Sequence, residues 1–179
     1  NHQGVIAYVS AYDYVSVKDI LDKAREKNEP PFVIICDKIT DPHNLGAILR
    51  TANCVGAHGV IIPKRNSVGL NSVVAKTSAG AVEYTPVAKV TNIANTIDSL
   101  KDEGLWIAAA DMEGQEMYDI DLKGSLGLVI GSEGEGISRL VREKCDFIAS
   151  IPMAGEINSL NASVAAGVLM YEALRQRRK

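Results

Sequence analysis

Cysteine is scarce in this sequence: Cys36, Cys54 and Cys145 are the only three in 179 residues, and no two form a CxxC pair. An odd, dispersed set excludes a disulfide-stapled secreted scaffold and a zinc ribbon, and points to a reducing, cytoplasmic setting. Long apolar runs are missing too. None approaches the roughly 18 residues of a membrane-spanning helix, and no signal-peptide pattern is present. Positive charge is in short supply, with 19 Lys and Arg against 22 Asp and Glu and a net charge of −3. That excludes a uniformly basic nucleic-acid binder while leaving room for a local basic patch. What is abundant is apolar residues, 46% of a chain whose length fits one domain. A chain of this size buries roughly 70% of its unfolded surface, enough for a core without disulfides or metal.

Short apolar runs alternate with amphipathic stretches almost from end to end. Val5–Val9, Phe32–Cys36, Gly59–Ile62, Leu105–Ala110, Leu126–Ile130 and Phe147–Ile151 read as strands. Between them, helical spacing appears in Val17, Ile20, Leu21 and Ala24, then in Leu45, Ile48, Leu49, Ala52 and Val55, and again in Ile93, Ile97 and Leu100. Short helices are predicted near Asn71–Ser78 and Ser138–Lys144, and a long one over Asn161–Arg177. Asp41-Pro42 has the form of a helix start, a capping side chain followed by a residue tolerated in the first turn. This alternation predicts one α/β domain with a mainly parallel sheet flanked by helices.

Three segments carry candidate chemistry. In Asp41-Pro42-His43-Asn44-Leu45-Gly46-Ala47-Ile48-Leu49-Arg50-Thr51-Ala52, the helix neighbours of Arg50 are Gly46, Ala47, Asn53 and Cys54, all small. Arg50 reads either as a solvated surface arginine or as a bidentate phosphate grip on an open face. His43 reads as a loop histidine. The second segment, Gly131-Ser132-Glu133-Gly134-Glu135-Gly136, follows a strand, but its order is GxxGxG and no Lys-Ser/Thr follows. Its two glutamates oppose a pyrophosphate, since like charges ~4 Å apart repel by about 1 kcal/mol in water and more when partly buried. A nucleotide-binding oxidoreductase is therefore disfavoured, and the segment reads as a solvated turn or as a seat for a cationic or neutral ligand. In the third, Ile151 to Ala165, Ser159 or Asn161 can cap the final helix, while Ile151, Met153 and Leu160 give the loop an apolar wall suited to an adenine ring.

Taken in order, DPHNLGAILRTA at 41–52, LVIGSEGEGIS at 128–138 and IPMAGEINSLNASVA at 151–165 resemble the three signature motifs of the SpoU (TrmH) family. These are RNA ribose 2′-O-methyltransferases of the SPOUT superfamily, and the resemblance covers essentially the whole chain. Ala162 and Leu49 are the chief departures, both conservative. The resemblance implies a SPOUT-type fold with a C-terminal trefoil knot, S-adenosylmethionine (AdoMet) as cofactor, and no metal. It implies Arg50 as the catalytic arginine, with Asn44, Glu133, Ser159 and Asn161 shaping the same pocket. AdoMet contacts fall, largely through backbone atoms, to Ala109, Gly131, Ile151 and Leu160, with Met153 as an apolar wall. The implied substrate is a guanosine of large-subunit (23S) ribosomal RNA, with transfer RNA as the alternative and a non-catalytic RNA-binding relative as a distant third. A homodimer is implied through the final helix, whose apolar residues Leu160, Val164, Ala165, Val168, Leu169, Ala173 and Leu174 cover more than one stripe. Residues 1–179 would form the catalytic domain, and the start at Asn1 resembles the junction after a small N-terminal RNA-binding domain. The acidic residues Glu103, Asp111, Glu113, Glu116, Asp119 and Asp121 are expected on a solvated face away from RNA.

Overall fold

The computed structural model describes residues 12–178. In chain order the elements are α1 (Val17–Glu26), β1 (Phe32–Asp37), α2 (Pro42–Cys54), β2 (Gly59–Pro63), α3 (Ser72–Thr77) and β3 (Val87–Val90). There follow α4 (Ile93–Asp102), β4 (Trp106–Glu116), β5 (Leu126–Gly131), α5 (Arg139–Lys144), β6 (Phe147–Ser150) and α6 (Ala162–Arg177). The strands form one six-stranded sheet in the order β3-β2-β1-β5-β4-β6, and every pairing is parallel.

The centre of the sheet follows from composition. β1 and β5 are unbroken apolar runs because helices cover both faces. Alternation divides β1 between two cores: Phe32, Ile34 and Cys36 face α2, α3 and α6, whereas Val33 and Ile35 face α1, α4 and α5. Gly46 lets α2 approach α3 closely, since a Cβ there would sit 2.6 Å from the Thr77 Cβ. At the N-terminal end of the strands, buried His58 accepts the Phe32 amide on Nδ1 at 2.9 Å, while its Nε2 lies 2.8 Å from the Glu29 carboxylate.

The predicted strands from Phe32 onward and all of the predicted helices are present, and the predicted strand Val5–Val9 lies outside the described residues. Two differences matter. β3 was not foreseen, because its four residues, with exposed Lys89 among them, carry too little pattern for an edge strand. β4 runs six residues past Ala110, its register against β6 jumping from Ala110 to Gln115, so that Asp111–Gly114 forms a bulge. No helix among the described residues is long and apolar enough to cross a membrane.

Candidate active site

A parallel sheet collects its loops at the carboxyl ends of its strands, where helix N-termini also point. Here that edge holds a cleft of about 600 Å3 between the ends of β4 and β5, the loop 131–138 and the segment leading into α6. The loop is a tight return. Ser132 and Gly136 form a bridge, and a Cβ on Gly131 would meet the Gly136 carbonyl carbon at 2.3 Å. Gly134 and Gly136 adopt φ of +85° and +67°, left-handed values that favour glycine.

The loop is held at both ends by one residue. Asp37 pairs with Gly131 in the β1–β5 register, and its buried carboxylate accepts the Ser138 amide at 2.7 Å and the Ser138 hydroxyl at 2.8 Å. Neither residue was anticipated as part of the site. A carboxylate closing an otherwise apolar strand was the available signal, since a buried charge demands partners.

Within the cleft the three sequence segments interlock. Asn161 donates through Nδ2 to the Glu133 carboxylate and, at 3.1 Å, to the Asn44 side-chain oxygen, while Asn44 donates to Glu133 at 3.4 Å. Glu133 also accepts the Ala162 backbone amide at 3.2 Å, so its negative charge sits at the N-terminus of the 16-residue α6. Asn161 is the helix cap, its oxygen accepting the Ser163 and Val164 amides; Ser159 caps nothing and lines the cleft instead. Asp41 caps α2 by accepting the His43 amide at 2.8 Å, which holds its carboxyl below the usual range, and the His43 ring lies 3.2 Å away.

Of the residues expected to act here, Gly131, Glu133, Ile151, Met153, Ser159, Leu160 and Asn161 line the cleft, and Asn44 joins it through its hydrogen bonds. Ala109 offers the cleft no side chain: its methyl group is packed in the core on the α4 side, and the next residue, Ala110, faces the cleft. The alternation of the strand makes the two neighbours face opposite ways. Arg50 lies on the exposed face of α2, outside the cleft lining, and no hydrogen bond ties it to Asn44 or Glu133 among the described residues. Of the acidic stretch, Glu103, Glu113, Glu116, Asp119 and Asp121 are exposed and outside the cleft lining, and Asp111 alone departs from the expected solvated face. Asp111 reaches the cleft because of the β4 bulge and pairs with Arg142, which donates in addition to the Glu113 carbonyl at 3.2 Å.

The walls combine apolar Ile151, Met153, Leu160 and Ala165 with the carboxylates of Asp111, Glu133 and Glu135. That mixture suits a ligand with a flat heterocycle and a positive charge, and is wrong for a pyrophosphate. The comparison with known proteins agrees: the SpoU rRNA Methylase family matches residues 31–171. The chain belongs to the SpoU family of RNA methyltransferases. Among SpoU relatives, YacO of Bacillus subtilis (strain 168), described as a TrmH family tRNA/rRNA methyltransferase, is 55% identical over 98% of this chain and 71% of its own length. The SpoU methyltransferase AviRb of Streptomyces viridochromogenes, solved in complex with AdoMet, superposes with a TM-score of 0.79 at 32% identity. That match covers 84% of this chain, which spans 60% of AviRb. A TrmH/SpoU tRNA modifying enzyme of A. aeolicus gives a TM-score of 0.75 at 29% identity, over 90% of this chain and 84% of that one. AdoMet is the cofactor of the SpoU family, and the cleft fits it in size, in its apolar wall and in the sign of its charged residues.

Proposed function

We propose that this SpoU domain transfers a methyl group from AdoMet to a ribose 2′-hydroxyl of RNA, with a guanosine of 23S ribosomal RNA as the leading substrate and transfer RNA as the alternative. The observation that carries the reading is the Asn44–Glu133–Asn161 network, which joins α2, the glycine loop and the start of α6 around one acid-lined cleft. AdoMet, when bound, supplies a methyl group activated by a sulfonium. Ile151, Met153 and Leu160 would flank its adenine, and the backbone from Gly131 onward would hold its remainder.

The residues of the chain then meet two demands, to hold the ribose in line and to lower the cost of removing its proton. Arg50 is suited to the first as a fork that clamps the adjoining phosphate, and to the second by stabilising the developing alkoxide. A guanidinium is a poor base, so the proton passes to a phosphate oxygen or to water. Glu133, tied to three donors, fixes the loop and the helix start relative to each other rather than moving a proton. We also propose a homodimer through α6, where Val164 and Tyr171 remain exposed, with exposed Leu160 just before the helix, while Leu169, Met170 and Ala173 fill the core. Three thiols with no disulfide among them fit the reducing cytoplasm.

The test is to map 2′-O-methylation on ribosomal and transfer RNA with the full-length enzyme. Methylation of one RNA that disappears in an Arg50→Ala variant supports the reading; no Arg50-dependent methyl group on either RNA refutes it.

A further inference from the structure

A second hollow, of about 220 Å3, opens at the same edge of the sheet but over α4 and α5, on the face opposite the AdoMet cleft. Lys38, just past β1, and Arg65, just past β2, lie on its rim, with Asn92 and the first turn of α4 opposite them. The two cationic loops are joined to the body of the sheet. The Val68 amide and the Ser67 hydroxyl donate to the Ile39 carbonyl at 2.9 and 3.2 Å, and the Lys64 amide donates to the Val90 carbonyl at 2.8 Å.

Seven of the described lysines and arginines are ion-paired: Lys18, Arg25, Lys101, Arg139, Arg142, Lys144 and Arg175. Lys38, Lys64 and Arg65 are among those that are not, although the chain as a whole is acidic. Asp37 also borders the hollow, where its buried carboxylate accepts the Ser138 amide and hydroxyl and makes no ion pair with Lys38 or Arg65. Unpaired cations gathered on one edge of an acidic protein create a local positive field that attracts a polyanion.

We propose that this hollow seats a backbone phosphate of the substrate RNA strand, with Arg65 and Lys38 as its ligands. The inference rests on the proposed RNA methyl transfer and adds a path for the strand. The short loop 38–41 leads from Lys38 directly into α2, which displays Arg50. A strand running from Arg50, in the second half of α2, to the hollow would pass around the carboxyl edge of the sheet from one face to the other. A small free anion would engage one such point, whereas the further unpaired cation Lys64, next to Arg65, suits a polyanion.

The test uses the full-length protein, a fluorescent single-stranded oligoribonucleotide of mixed sequence, and anisotropy over about 50–200 mM salt. Each phosphate contact contributes about 0.7 to the slope of log affinity against log salt for a single strand. The Lys38→Gln/Arg65→Gln variant is expected to lower that slope by about 1.4 and to weaken binding at least tenfold at low salt. AdoMet affinity by calorimetry should be unchanged, since neither residue lines the AdoMet cleft. A control pair at the far end of the sheet, Lys27→Gln/Lys123→Gln, should leave the slope as it is. The inference is overturned if the Lys38/Arg65 variant keeps the wild-type slope, or if the control pair lowers it equally. Wild-type protein that methylates RNA in either of those cases preserves the proposed function, whereas wild-type protein that neither binds nor methylates RNA overturns both.

Discussion

At the scale of single residues, two side chains make separable predictions. Arg50 stands on an exposed helix face with small neighbours, so its replacement removes an interaction without disturbing a core. Arg50→Lys keeps the charge and loses the planar fork, and should cut methyl transfer at least tenfold while AdoMet affinity measured by calorimetry stays constant. Near-full activity in that variant would remove the clamp role. His58 belongs to the other end of the sheet and to stability. Burial pushes its pKa below the usual value near 6.5, opposed in part by Glu29. The folded protein thus binds fewer protons at this site than the unfolded chain. The stabilisation is fully present above pH ~6.5 and is lost as pH falls from there toward the lower folded-state value. Denaturant midpoints should drop between about pH 7.5 and 5.5 in the wild type. The drop should shrink in His58→Leu, which is less stable at neutral pH by about 1–3 kcal/mol because the Phe32 amide loses its acceptor. Equal drops in both proteins would assign the pH effect elsewhere.

At the scale of elements, the glycine loop is the component on which the cleft depends. Asp37 holds its first residue through the strand register and its last through two hydrogen bonds. Asp37→Ala strands the Ser138 amide and should weaken AdoMet binding more than it lowers thermal stability, a split that calorimetry and thermal melts read together. Gly131→Ala drives a methyl group against the Gly136 backbone, so it should abolish AdoMet binding in a chain that still folds. How far such elements were legible in the sequence depended on pattern length. β1, β5, α2 and α6 announce themselves by unbroken apolar runs or helical spacing with caps, and the motif resemblance located Glu133, Asn161 and Ser159. The four-residue β3 and the bulge of β4 did not show, because a short edge strand and a register break leave no periodic trace. The same bulge brings Asp111 to the cleft, while the alternation of β4 turns Ala110 toward it and Ala109 away. The Asp37–Ser138 contact spans 101 positions and has no local signal at all.

At the scale of the whole molecule, the exposed residues of α6 set the expected assembly. Val164→Glu places a charge in the middle of that surface and should shift sedimentation from dimer to monomer, with the far-ultraviolet spectrum unchanged. A wild-type protein that sediments as a monomer at micromolar concentration would exclude α6 as an interface of this kind. The topology also has a consequence for biosynthesis. The two halves of the sheet meet only where β1 pairs with β5, some ninety positions later, and the last helix packs back on α2. Asn161, which closes the network on Glu133 and Asn44, follows every strand in the order of synthesis. A ribosome-bound chain that has emerged only through β6 therefore has its sheet without a finished cleft, and AdoMet should protect it from protease no better than buffer does. Competence to bind the cofactor, and with it any methylation of the RNA surrounding the chain at its birth, waits for the final helix to leave the exit tunnel.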